Sequence, residues 1–287
     1  TPDNVTSRWI KTGNDKSGYI NKGKIDVFGG TKTNGITGVN VAFGTVQNLN
    51  DGGTDSSGEI QIDHGHAIHA TDGSSIKNTG KITVTGKLTQ LSYLRGLTET
   101  AEGTPSGNNY GIVGISDTDI DYNVNDDWSQ KINTLNIEHS GEHAITKVEG
   151  DLAVGIYGEN RNNAKASDIK IKYDTSARAK AGIDVSNANV TSSDARGVGI
   201  ALVNGSSTTY ADGALDAGGE ITLKGFGGTA GNDVDTANDI LTGKNGVGIY
   251  AESAEINVDS DNFVVKTEDN GIGLWAMDDT VVARGTQ

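Results

Sequence analysis

The sequence predicts an all-β protein, a right-handed parallel β-helix (β-solenoid) with loop insertions, running as one segment over residues 1–287. Three observations predict it: glycine in steady supply without proline, short strand-like phrases that recur along the chain, and almost no helical periodicity. Gly accounts for 41 residues and Pro for 2, with aromatics at 5%. That composition suits many tight turns between short strands and not a globule of large side chains. Leucines fall at helical spacing in one place, KLTQLSYLRGLTETA over 87–101, where Leu88, Leu91 and Leu94 predict a helix or compact loop.

The first recurring phrase is a strand led by glycine or a small residue: GKIDVFG (23–29), GEIQID (58–63), GKITVTG (80–86), SDIKIKY (167–173), GEITLKG (219–225) and AEINVDS (254–260). Each alternates apolar with polar side chains, the period of a half-buried strand. The second is NYGIVGIS (109–116), LAVGIYGE (152–159), KAGIDVS (180–186), RGVGIALVN (196–204), NGVGIYAE (245–252) and NGIGLWAM (270–277). Glycine alternates here with a branched apolar residue, which predicts one smooth face and one that feeds a core. Ile115, Ile145, Ile183, Ile200, Ile249 and Leu274 mark the repeat, and a spacing of roughly 25 to 30 residues suits one coil of a parallel β-helix. A single coil cannot bury its own apolar face, so coils stack. At ~25 residues per coil the expectation is about eleven coils and a rod about 50 Å long. A β-sandwich of short strands is the rival, but few two-residue hairpin signals are present and glycine-rich strands pack poorly face to face.

Two interruptions, 87–109 and 226–244, are expected to occupy the same slot, each after a GKITVTG-like phrase and before a NYGIVGIS-like one. Insertions at one slot of a solenoid emerge on one side, where binding loops often lie. Within the first, Tyr93, Leu94 and Arg95 are the partner-contact candidates, because aromatic and arginine side chains dominate interface energetics.

Charge and chemistry narrow the function. A formal charge of -15 would repel a polyanion, so nucleic acid and anionic membrane are not expected partners. With no cysteine, disulfides and thiolate metal sites are excluded. No run approaches the ~20 apolar residues of a bilayer helix. Thr1 is not an initiator Met and no apolar leader core follows it, which reads as a piece of a longer exported precursor.

The five histidines form two similar phrases, IDHGHAIHA (62–70) and IEHSGEHAI (137–145). Aligned, they pair Ile62 with Ile137, His64 with His139 and His66 with His143, as one corner of the repeat seen twice. Extended-strand geometry predicts His64 and His66 on one side, with Asp72 nearby, and His69 on the other. Solvent-facing histidines at a corner are the expectation, with no metal and no cofactor. GGTAGNDVD (227–235) departs from a calcium nonapeptide, with Ala230 where glycine belongs, and DTDIDYNVNDD (117–127) departs from an EF-hand at Tyr122 and Trp128. No G-x-S-x-G, phosphate loop or carboxylate cluster points to catalysis, so no catalytic residue is assigned. A β-helical polysaccharide hydrolase or lyase and a purely structural stalk are the alternatives.

The phrases NGVGIYAESAEINV and NGIGLWAMDD, in a glycine-rich, cysteine-free, acidic chain, resemble passenger regions of large type V autotransporter adhesins. The long fusobacterial outer-membrane adhesins of the RadD type are the nearest resemblance. It implies a β-helix exposed at the outer membrane of a Gram-negative cell, binding a host cell-surface receptor or another bacterial surface, without catalysis or direct membrane insertion by this fragment. The membrane barrel of such proteins has no counterpart here, and the family supplies no fixed binding motif to carry over.

Overall fold

In a computed structural model of the chain, residues 7–11, 17–30, 35–42, 44–50, 52, 57–71, 73–86, 109–116, 135–150, 153–160, 169–175, 182–186, 197–204, 208–209, 215–216, 219–225, 238–259, 263–278 and 280–284 are described. They form a right-handed parallel β-helix of three sheets. Sheet A stacks β1 (Ser7–Lys11), β2 (Ser17–Asn21), β5 (Thr45–Asn48), β8 (Ser75–Asn78), β11 (Leu135–Ser140), β14 (Ile169–Asp174), β19 (Gly219–Lys224), β22 (Glu255–Val258) and β25 (Val281–Arg284). Sheet B stacks β3 (Lys24–Val27), β6 (Glu59–Asp63), β9 (Lys81–Thr85), β12 (Ile145–Val148), β15 (Ile183–Val185), β20 (Ile240–Thr242) and β23 (Val265–Lys266). Sheet C stacks β4 (Ile36–Ala42), β7 (Gly65–Thr71), β10 (Asn109–Ser116), β13 (Ala153–Asn160), β16 (Val198–Asn204), β21 (Val247–Glu252) and β24 (Ile272–Met277). A short antiparallel pair, β17 (Thr208–Thr209) with β18 (Leu215–Asp216), stands outside them.

The chain visits A, B and C in turn, so the described residues make seven full coils and β25 opens an eighth. Seven coils at ~4.8 Å give about 34 Å of stacked strands, shorter than the rod expected from sequence. The expectation of about eleven failed because coils differ in length: Ile200 and Ile249 stack directly, although 49 positions separate them. Residues inserted at the corners add to the sequence without adding a coil.

The core is three columns of branched aliphatics. Ile60, Ile82, Ile183 and Ile240 align in sheet B; Ile76, Ile137, Ile171, Ile221 and Ile256 in sheet A; Ile68, Ile112, Ile156, Ile200 and Ile249 in sheet C. All are buried, and each contributes about 1.5–3 kcal/mol by leaving water. The first phrase is not one structural position. Its copies at 23–29, 58–63 and 80–86 lie in sheet B and those at 167–173, 219–225 and 254–260 in sheet A, because both sheets bury alternate residues and so demand the same local pattern. Consequently the two interruptions do not share a slot: 87–108 lies between a B and a C strand, whereas 226–237 lies between an A and a B strand.

The second phrase belongs to sheet C, apart from KAGIDVS, which forms β15 of sheet B. Strict alternation fails inside it. Tyr110 and Val113 belong to one apolar cluster outside the sheet, while Ile112 belongs to the core. The glycine between Tyr110 and Ile112 also faces inward: a Cβ on Gly111 would lie 2.4 Å from Thr146 Cγ2 and 2.5 Å from the Gly155 carbonyl oxygen. Two successive inward positions bend these strands where sheet B meets sheet C; β7 places Ala67 at the first, whereas β10, β13, β16 and β21 place glycine there, with the next coil's carbonyl oxygen 2.5–2.6 Å from where a Cβ would stand.

Polar residues pin the corners. Asn21 Nδ2 donates to Asn48 Oδ1 (2.8 Å), Asn48 Nδ2 to Asn78 Oδ1 (2.8 Å), and Asn78 Nδ2 to His139 Nδ1 (3.0 Å), one buried row through four coils. At the B–C corner the Asn109 side chain accepts from the Gly65 N–H (2.9 Å) and donates to the Gly86 carbonyl oxygen (2.8 Å). Each bond satisfies a group that burial would otherwise penalise by about 1–3 kcal/mol.

Candidate functional site

The outer faces of sheets A and B consist of polar side chains that answer one another between coils. Lys77 Nζ lies 3.4 Å from Glu138 Oε1, Lys81 Nζ 3.1 Å from Glu59 Oε1, and Lys170 Nζ 3.6 Å from Glu220 Oε2. Each of these pairs is neighbours in parallel register. Cation over carboxylate in successive coils supports register, at roughly 0.2–1 kcal/mol per opposed pair.

Sheet C is different. Its outward residues Tyr110, Val113, Ile115, Val154, Tyr157, Val198, Ala201, Val203, Val247 and Tyr250 form a second apolar cluster that is itself buried, with Trp275 and Met277 packed against its end. The strands β10 and β13 are buried at every position, as expected of a sheet covered on both faces. An aromatic path runs along this layer: His66 meets the edge of Tyr110 at 5.0 Å, Tyr110 meets Tyr157 at 5.4 Å, and Tyr250 meets Trp275 at 5.9 Å. Carboxylates sit beside it. The Tyr157 hydroxyl donates to Glu159 Oε2 (3.1 Å) and the Tyr250 hydroxyl to Glu252 Oε2 (3.3 Å). Burial, reinforced by the Glu252 carboxylate, pushes the Tyr250 phenol well above its usual range. This apolar outer layer escaped the reading of the sequence, which assigned one face of the glycine phrase to the core and left the other smooth. The signal was present in runs such as YGIVGI and VGIALV, which are apolar at both parities.

The histidines disperse. His64 sits at the B–C corner in the left-handed region (φ 59°), with Asp63 Oδ2 4.0 Å from its Nδ1. Asp63 Oδ1 accepts from the Gly29 and Gly30 N–H groups of the preceding coil (3.0 and 3.1 Å). His66 and His69 share the outer face of sheet C, ring centroids 5.8 Å apart, because Ala67 and Ile68 take the two inward positions between them. This corrects the expectation that His69 points to the side opposite His66. His139 is wholly buried, stacked on Tyr173 at 5.5 Å, with Nε2 3.2 Å from the Gly182 carbonyl oxygen. His143 lies 3.0 Å from the half-exposed Glu142.

The two histidine phrases are therefore not one corner seen twice: Ile62 lies in a B strand and Ile137 in an A strand. Their shared letters arise from the same alternation in different sheets. Among the described residues no three His, Asp or Glu side chains converge as metal ligands would. Asp72, the 227–235 and 117–127 stretches, the 87–101 segment and the contact candidates Tyr93, Leu94 and Arg95 lie outside the described residues.

The fold defines a parallel β-helix with one doubly buried side. No protein-family model, curated protein or solved structure matches the chain.

Proposed function

We propose that the chain is a non-catalytic adhesin segment, a rigid rod exposed at the outer membrane surface of a Gram-negative bacterium that presents corner loops to a host cell receptor or another bacterial surface. The observation that carries this reading is the asymmetry of the rod. Sheets A and B carry interlocking charges on their outer faces, and the long connections at 87–108, 117–134 and 205–218 each adjoin a strand of sheet C, with that at 226–237 between A and B. A solenoid tolerates such additions because each enters between strands whose stacking is fixed by neighbouring coils. The resemblance of the NGVGIYAE and NGIGLWAM phrases to autotransporter passengers supports the cellular setting.

Deleting 88–108, which removes Tyr93, Leu94 and Arg95, is expected to abolish binding to epithelial cells or partner bacteria in a flow-cell assay while leaving the β-sheet circular dichroism unchanged. Binding that survives the deletion with the fold intact removes this loop from the proposal and assigns the segment to a stalk.

A further inference from the structure

Of the five histidines, His139 alone lies fully inside the rod, whereas His64, His66, His69 and His143 are half-buried. Both of its ring nitrogens are engaged. Nδ1 faces the Asn78 Nδ2 donor at 3.0 Å, and Nε2 lies 3.2 Å from the Gly182 carbonyl oxygen. An acceptor at the first position and a donor at the second define one protonation state, the neutral imidazole with its proton on Nε2.

The asparagine row holds that state in place. Turning the Asn78 amide over would set its nitrogen against Asn48 Nδ2, which donates to Asn78 Oδ1 (2.8 Å) and to the Lys81 carbonyl oxygen (3.3 Å). One coil earlier the Gly23 N–H donates to Asn21 Oδ1 (3.2 Å), and Asn21 Nδ2 donates to the Glu59 carbonyl oxygen (3.1 Å). Backbone groups thus set the sense of the row, and the row sets the tautomer. A second proton on the imidazole would point N–H at N–H in a site with no exposure to solvent.

The ionisable groups around the ring are already matched. Tyr173 of β14, stacked on it, donates its hydroxyl to the Asp239 carbonyl oxygen (2.9 Å). The buried Asp239 carboxylate accepts from the Thr175 hydroxyl (2.7 Å), the Val264 N–H (2.9 Å) and, at 3.4 Å, Tyr173 itself. On the outer face of sheet A, Glu138 of β11 meets Lys77 of β8, and in β14 Lys170 meets Glu220 while Lys172 meets Asp174. Asp184 of β15 accepts from the Ser186 hydroxyl (2.6 Å), and Tyr110 of β10 belongs to the outer layer of sheet C.

We infer that His139 is an acid-sensitive lock on the coils that the asparagine row joins: its protonation opens the rod from β2 to β11 and leaves the coils of β16 and β21 closed. The opened chain takes up a proton near pH ~6.5, whereas the closed coil has no place for one. The stabilisation is therefore complete above ~6.5 and is lost as pH falls below it, well before carboxylates protonate near pH ~4. Local opening is open to a solenoid because each coil contacts only its neighbours. The inference does not depend on what the loops bind.

The test is hydrogen exchange by mass spectrometry at pH 7.5 and pH 5.0, corrected for the intrinsic pH dependence of amide exchange. The opening constant of β8 and β11 is expected to rise about 30-fold between the two, and that of β16 and β21 less than about threefold. His139→Asn keeps an acceptor for Asn78 but cannot titrate, so it is expected to open more readily at pH 7.5 and to lose most of the acid rise. In the unaltered chain, nitrogen NMR is expected to show His139 as the neutral Nε2–H form down to the pH at which these coils open. The inference is overturned if the His139 ring takes up a proton while β8 and β11 stay protected, if His139→Asn retains the full acid rise, or if β16 and β21 open to the same extent as β8 and β11.

Discussion

At the scale of single residues, His139 shows how little a residue type says without its position. Its ring fills an inward site of sheet A, accepts from Asn78 and stacks on Tyr173. His139→Ala is expected to cost about 2–4 kcal/mol, from the cavity and the orphaned Asn78 amide together. His139→Asn, which keeps a polar partner for Asn78, should cost less than half of that in urea titrations. Tyr250 gives a pH signature. An unfolded tyrosine titrates near ~10, and in the fold the phenol holds its proton to higher pH, so its contribution is complete below about pH 10 and declines as pH rises beyond it. Tyr250→Phe should lose about 0.5–1.5 kcal/mol at neutral pH and show a shallower alkaline decline, read by urea denaturation at pH 8 and pH 11. The sequence marked the histidines as notable, but spacing alone could not separate His139, inside the core, from His143, three residues past its strand at a corner. Only the stacking of one coil on another decides which side is in.

At the scale of elements, the glycine phrase was legible and its geometry was not. That G-[VI]-G-I stretches form strands follows from their letters; that glycine and isoleucine both turn inward follows from the bend at the B–C corner. Gly199 tests this: a methyl group there would lie 2.4 Å from Ile240 Cγ2 and 2.5 Å from the Gly248 oxygen, so Gly199→Ala is expected to cost about 1–3 kcal/mol by thermal melt. Opposite the glycines, large residues use the space, as Leu135 and Ile137 do across from Gly114. The A and B strands were legible as half-buried but not assignable to their sheets, since EIQID and EINV state the same alternation. The partner strand, which a single sequence does not name, supplies the missing information.

At the scale of the molecule, the fold class was written in the recurrence of the phrases, while the coil count was obscured by insertions of unequal length. A linear stack is held coil by coil, so stability should fall toward an open end. Peptides from β24 and β25 are expected to exchange amide hydrogens orders of magnitude faster than those from β10 and β13 in mass-spectrometric measurements. The buried asparagine row gives the other half of the rod a contrary character. Every amide in it points its donor the same way, from Asn21 toward His139, so turning one over would break its bonds to both neighbours in the row. Backbone groups hold the same direction at each step, with Asn21 Oδ1 accepting from the Gly23 N–H and the Asn21 and Asn48 amides donating also to the Glu59 and Lys81 carbonyl oxygens, so the first four coils share a single molecular arrow.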